Sequence, residues 1–376
     1  MKAIEVLSSY RKTRLADLGK AKEEGRKIIG YTVGGYFPEE LVLAAGAIPL
    51  GLIRGGDHSA VELAGAYICR WIDPFCRAQI GYAVSQDDPY YSLVDLLAVP
   101  ITDNHIRAVS DIVSYNTDIT VFPFGVPHMK DVGCFDYYRH GITRLKAKLE
   151  EVTGVEITES KLRGAIALCN RERELLKQIS LMRKADPVPI SSKEFVALNH
   201  SSALLDKEVM VEVLESLYAE LKEQAAPPRE GRRLLLTGST LALGDRIIDI
   251  IEEAGGVVVI EEFGEGLKPY WENVRLDGDL MEALADCYFT RRVPPAYFRP
   301  GRERLDLVIK MAKDFNVAGV IWYQLLYRES YKTESYYFPD RLKKETGLSM
   351  LVIESEYDQT EAVQQRTRLE TFMEVI

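Results

Sequence analysis

Histidine is scarce in this chain, five in 376 residues, and His58, His105, His128 and His140 include no pair at the spacing of a helical zinc site. Basic charge in excess is missing too: the net charge is −10 and the pI about 5.3. That excludes a dedicated nucleic-acid binder, which needs a basic face to neutralise phosphates. No stretch approaches the ~20 apolar residues of a membrane span, and the charged, helical N-terminus has no apolar core of signal-peptide length. The expectation is a cytoplasmic protein with neither a membrane nor a nucleic acid as partner. Five scattered cysteines make no disulfide framework in a chain this long. Reduced thiols or a metal site are the remaining options, and burial as an inert thiol is the commoner fate of any one cysteine.

What is present is a series of apolar, β-branched runs. In the first half they are 27–33, 47–53, 94–102 and 118–124; in the second, 232–239, 257–263, 316–324 and 348–355. Each is too continuously apolar for a half-exposed antiparallel strand, which predicts buried parallel sheets. Between the first two runs, Pro38 stands at a first helical position, Glu39 and Glu40 in the first turn, and Gly46 just past the end. From about Asp136 to Gln224 the periodicity turns to long amphipathic helices, with Ile142, Leu145, Leu149 and Val152 on one stripe and Met210, Val213, Leu214 and Leu217 on another. A helix-breaking stretch at 223–231 reads as a linker. The expected fold is α/β: two doubly wound, mainly parallel, Rossmann-like domains with a helical segment between them. The expected boundaries are 1–135, 136–230 and 231–376, the last closing with a C-terminal helix. Ligands of such sheets bind beyond the carboxyl ends of the strands, so the segments after the strands carry the candidate sites.

The run GYTVGGYFPEELVLAAGAIPLGL (30–52) resembles the N-terminal signature of the large-subunit family of 2-hydroxyacyl-CoA dehydratases and benzoyl-CoA reductases. The likeness continues in order through YICRWIDPFCRAQIG (67–81), DLLAVPIT (95–102), LKAKLEEVTGVEIT (145–158), RRLLLTGS (232–239), AGVIWYQLLY (318–327) and GLSMLVIESEYD (347–358). The resemblance implies two homologous subunits in a homodimer or heterodimer, each with paired α/β domains. It implies an ATP-hydrolysing activator that carries an iron–sulfur cluster and supplies a low-potential electron. It also implies an acyl-CoA thioester as substrate, for dehydration or ring reduction, and a 4Fe–4S or larger cluster held by cysteines of the subunit.

This chain departs from that pattern at two of the three ligand positions. Matching places the first cysteine at Cys69 or Cys76, the second at Asp103 or Asn104, and the third near Tyr327 or Arg328. Three arrangements remain open. A cluster persists on a rearranged set, Cys69, Cys76 and Cys134; or the subunit has given up its cluster and pairs with a cluster-bearing paralogue; or a cluster lies between two chains. Cys69 and Cys76 are seven residues apart, close to two turns of one helix, but Pro74 between them suits a loop wrapped on a metal equally. Cys169 and Cys287 read as structural.

Other polar groups are weaker signals. His105, beside a matched cluster position, is a candidate acid/base or substrate-orienting group, against the default of a hydrogen-bonded surface histidine. The turn TGSTLALGD, with Ser239, resembles a phosphate cradle at a helix start, although it is neither a P-loop nor GxGxxG, and close packing explains small residues as well. Arg291, Arg292, Arg299, Arg302 and Arg304 form the one basic concentration, with Arg299 and Arg302 as candidates for CoA phosphates and a solvated surface cluster as the rival. In the tyrosine-rich stretch from Tyr323 to Tyr337, Tyr327 and Arg328 are candidates to meet a thioester carbonyl as charge develops on it. A subunit interface would enrich the same residues.

Overall fold

The computed structural model describes residues 1–85, 88–223, 230–296, 298–299, 301–358 and 360–376; positions 224–229 of the expected linker lie outside the described residues. All eight expected runs form strands: β1 (Ile28–Thr32), β2 (Ile48–Leu52), β3 (Leu96–Ile101), β4 (Thr120–Gly125), β5 (Arg232–Gly238), β6 (Gly256–Glu262), β7 (Gly319–Leu325) and β8 (Ser349–Ser355). They build two four-stranded sheets of the same topology, β2-β1-β3-β4 and β6-β5-β7-β8. Every pair is parallel. β1, β2, β6 and β7 are buried along their whole length, as continuous apolar strands covered on both faces should be, whereas the edge strands β4 and β8 are largely half-exposed.

The period of two sorts each strand between separate cores. Leu97 and Val99 of β3 and Leu234 and Leu236 of β5 share one core that runs between the two sheets. Their neighbours Leu96 and Ala98 face outward into a core with Ile142, Leu145 and Leu149 of the helix Val132–Thr153. Leu235 of β5 packs instead with Leu175, Phe195 and Met210, from helices Glu159–Met182, Ser192–Ser202 and Lys207–Lys222. Local chemistry ends and starts these helices as composition suggests. Gly154 takes a left-handed φ of 70° after Thr153, and Ser191 and Glu194 form a reciprocal capping box. One detail differs from expectation: Pro38 is the extended residue that precedes the helix Glu39–Ala44, not its first helical residue.

The two halves interlock. Helix Leu280–Ala285, from the second half of the chain, buries Leu280, Ala283 and Leu284 against the outer face of the first sheet. Backbones of the two halves also meet directly. Gly55 N–H donates to Leu243 O and Leu243 N–H to Ile53 O, both at 2.9 Å. A Cβ on Gly56, whose φ is +68°, would lie 2.3 Å from Gly244 O, and one on Gly264 would lie 2.7 Å from Gly34 Cα. Only glycine fits these crossings.

Strand order reverses beside β1 and β5, so the carboxyl ends of β1 and β3 and of β5 and β7 border two switch-point crevices. Those ends face one another across the seam between the halves.

Candidate functional site

Two small cavities lie in that seam. One, of about 60 Å³, is lined by Tyr31, Gly34, Gly35, Arg173, Glu265 and Arg292 among others; its neighbour, of about 50 Å³, by Thr102, Asp103, Ser239, Thr240, Glu265 and Arg328 among others. A small-molecule pocket needs roughly 300–1,000 Å³, so the halves stand here in a closed arrangement. A groove of about 660 Å³ beside Gly46, Ile48 and Lys161 lies at the start of β2, away from the strand ends.

At the second cavity the loops after β3 and β7 converge on the helix Pro74–Ser85. Tyr327 has a left-handed φ of 67°, a conformation uncommon for a side-chain-bearing residue, at the turn after β7. On one side of that turn Tyr327 OH donates to Glu356 Oε1 (2.9 Å) and accepts from Arg70 (3.2 Å). On the other, Arg328 runs inward and is 9 % exposed. Its Nη1 meets Asp103 Oδ2 at 2.5 Å, its Nε stands 3.2 Å from Asp73 Oδ2, and its Nη2 is 3.9 Å from Cys76 Sγ. The three positions Cys76, Asp103 and Arg328, drawn from segments far apart in sequence, therefore touch. Cys76, not Cys69, is the thiol of this group.

The two carboxylates serve two purposes each. Asp103 caps helix Asn104–Asn116 through the N–H groups of His105 and Ile106, and Asp73 Oδ1 accepts the N–H of Cys76 in the first turn of the next-door helix. The second oxygen of each faces the guanidinium. Burial alone would raise both carboxyl pKa values, but Arg328 holds both below the usual carboxylate range. Burial likewise works against the Arg328 charge, and Asp103 and Asp73 outweigh it. Burial, followed by the Asp73 charge, pushes the Cys76 thiol well up, so it stays protonated.

The remaining candidates spread around this centre. His105 Nδ1 accepts the Asp73 N–H at 3.0 Å, leaving Nε2 to face Glu329 Oε2 at 3.7 Å. Cys69 is exposed and Cys76 buried, and since the helix begins at Pro74 the two do not share one. Cys134 opens the helix after β4, with its N–H on Asp131, and packs against the outer core of the first sheet. Ser239 lines the smaller cavity, but its hydroxyl accepts Leu325 N–H at 2.9 Å and so joins β5 to β7. Arg299 and Arg302 are exposed, and the backbone of Arg299 bonds to His128 and Lys130. The arginine cluster is dispersed: Arg291 pairs with Asp286 and Glu272, while Arg304 is buried between Glu262 and Glu334. Cys169 and Cys287 are buried, the latter in a π-helical turn.

A thiolate-held cluster does not fit these residues. The matched positions supply one protonated thiol, one carboxylate already paired, and a guanidinium that is always charged and donates only. A fixed cation at 3.9 Å from the single sulfur repels iron rather than binding it. Among the described residues no group of three or more His, Cys, Asp or Glu side chains is arranged to hold a metal ion.

Two interlocked parallel-sheet units with their strand ends face to face define the class of protein, and comparison with known proteins gives the family. The model of the 2-hydroxyglutaryl-CoA dehydratase D-component family matches residues 35–376, and the chain belongs to that family. It is 24% identical to the (R)-phenyllactyl-CoA dehydratase beta subunit of Clostridium sporogenes, over 94% of this chain and 93% of that one. It is 27% identical to a benzoyl-CoA reductase subunit of Thauera aromatica, over 74% and 72% of the two chains. To the beta subunit of lactoyl-CoA dehydratase from Anaerotignum propionicum it is 23% identical over the full length of both. An enzyme subunit, of lyase or oxidoreductase type, is what these relatives have in common.

Proposed function

We propose that this chain is the cluster-free subunit of an acyl-CoA dehydratase or benzoyl-CoA-type reductase, and that it completes the thioester-binding cleft of a cluster-bearing homologous subunit. The observation that carries the reading is Arg328, set between Asp73 and Asp103 with its Nη2 against Cys76, at the positions where the family resemblance expects thiolates. In the complete enzyme, an ATP-hydrolysing activator would deliver electrons to the partner's cluster. This chain's part is structural and binding: Arg328, from the second half, ties the loops of the first half together and keeps water out of the seam. The cleft at the strand ends would take the CoA thioester once the halves part, since the cavities of about 60 and 50 Å³ are far too small for it.

Iron and acid-labile sulfide analysis tests this. The chain and its homologous partner are purified anaerobically, separately and together. The expected result is near-zero iron in this chain, iron in its partner, and turnover of 2-hydroxyacyl-CoA or aryl-CoA only when both are present with activator, ATP and a reductant. Stoichiometric iron in this chain alone, or full activity of the partner without it, would overturn the reading.

A further inference from the structure

Arg292 is buried, with 3% of its surface exposed, and it lines the cavity of about 60 Å³. Its side chain crosses the seam: Nη1 donates to Gly35 O, and the guanidinium lies over the Tyr288 ring, 4.5 Å from the centroid. The other edge of the plane is free. Nε and Nη2 are both buried and have no hydrogen-bond partner among the described residues. These two atoms carry parallel N–H groups, the fork that takes both oxygens of one carboxylate. Leaving them unpaired is costly to the fold, and such an orphan calls for an explanation.

The surrounding polar groups are already engaged. Arg173 is paired with Glu40 at 2.5 Å, and Tyr31 OH donates to Glu39 and Tyr288 OH to Glu40. Asn199 donates to Glu265 O and Gly266 O. Glu265 is the exception: its carboxyl has no side-chain hydrogen bond among the described residues and meets Leu241 N–H at a long 3.4 Å, and burial raises its pKa to about 7. At pH 7 it is therefore about half protonated, and its protonated form offers a donor rather than a repelling charge. The cavity holds the equivalent of roughly four water molecules, the size of a carboxylate with one or two further carbons. Val33, Phe37 and Ile53 supply apolar wall for those carbons.

We propose that this cavity is a carboxylate-recognition site: a small shift of the Arg292 side chain turns its unpaired, buried edge into the cavity, where it takes both oxygens of a carboxylate on a short aliphatic chain. The carboxylate arrives either on a free acid or on the far end of a dicarboxylic acyl-CoA. The second source rests on the function proposed above, whereas the fork itself does not.

Calorimetric titration of the full-length chain, alone and with its partner subunit, tests the site. Propionate and the isosteric, uncharged propionamide probe the fork; glutaryl-CoA and butyryl-CoA probe the acyl source; inorganic phosphate is the competing anion. Propionate should bind at least about tenfold more tightly than propionamide, and Arg292→Met should erase that preference. Arg292→Lys, which keeps the charge and most of the packing but not the fork, should lose most of it, and it answers the question even if the methionine variant does not fold. A matching preference for glutaryl-CoA assigns the acyl end, and its absence beside a propionate preference assigns a free acid. Equal binding of propionate and propionamide, an undiminished preference in both variants, or tighter binding of phosphate than of propionate would overturn the proposal. None of these outcomes depends on iron content, so the site and the cluster-free reading fail separately.

Discussion

Replacing Arg328 with methionine removes the cation but keeps most of the volume, and leaves Asp73 and Asp103 facing each other's charge in a site where Asp73 is fully buried. Breaking a buried pair by deleting one partner costs about 3–5 kcal/mol, because the remaining charge is uncompensated. The lower end applies here, since each carboxylate keeps its helix N–H contacts and Asp103 retains some solvent. For 376 residues unfolding as one unit, the unfolding entropy is about 0.8 kcal/mol/K, so a loss of about 3 kcal/mol should lower the melting midpoint by about 4 °C at pH 7.5. The sign of the pH dependence follows from the depressed carboxyl pKa values. In the parent protein the pair contributes stability that is present above the unfolded carboxyl pKa near 4 and lost as pH falls through the lower folded values. In Arg328→Met, burial dominates and raises both carboxyls, so protonation relieves the penalty and the deficit shrinks between pH 7.5 and 5.5. Differential scanning fluorimetry across that range reads both effects, and adding Asp73→Asn and Asp103→Asn should restore most of the loss. A deficit under about 1 kcal/mol at pH 7.5, or one that grows on acidification, would refute the electrostatic account.

Three further outcomes are expected. The double variant Asp103→Cys/Arg328→Cys, beside Cys76, should bind iron on anaerobic reconstitution with iron and sulfide where the parent chain does not, read by metal analysis and visible absorption. Glu265 and Asp245 are each raised by burial to about 7, so both favour the protonated native state, and stability should decline as pH rises from 6 to 8. Each group contributes on the order of 1 kcal/mol over that interval, and Glu265→Gln should flatten the slope by that amount in denaturant titrations. Gly56→Ala, which sets a Cβ 2.3 Å from Gly244 O, should either cost about 1–3 kcal/mol or part the two halves, seen as a larger radius of gyration in solution scattering.

The inner strands were legible because they are buried on both faces and so spell uninterrupted apolar runs, and the half-exposed edge strands β4 and β8 are still apolar enough to read; all eight fall within a few residues of the positions read from sequence. The caps at Gly154 and Ser191 follow equally local rules. What periodicity could not reveal is partnership over long separations. Helix Leu280–Ala285 covers the sheet of the other half, and nothing in LMEALA names that sheet. Asp103 and Arg328 stood out by resemblance, but that they meet one another and Cys76 rather than Cys69 depends on the turn at Tyr327 and the helix start at Pro74. Arginines adjacent in sequence looked like one basic surface; the fold sends Arg304 into the core, Arg292 across the seam and Arg302 to solvent. The tyrosine stretch divides in the same way: Tyr323 is buried on Asp245, Tyr331 sits beside Arg304, and Tyr336 is 78% exposed. The orphaned edge of Arg292 had no signal in the sequence, since it is defined by contacts that are not made.

The tie between Arg328 and its two aspartates is built from groups that neither give up nor accept electrons. A sulfur-held iron cluster at the same place would be dismantled by air, and with it the link between the loops it joins. If this chain is the cluster-free subunit proposed above, its halves are joined by a fastening that oxygen leaves alone, and anaerobic handling protects the partner's cluster rather than this chain's own shape.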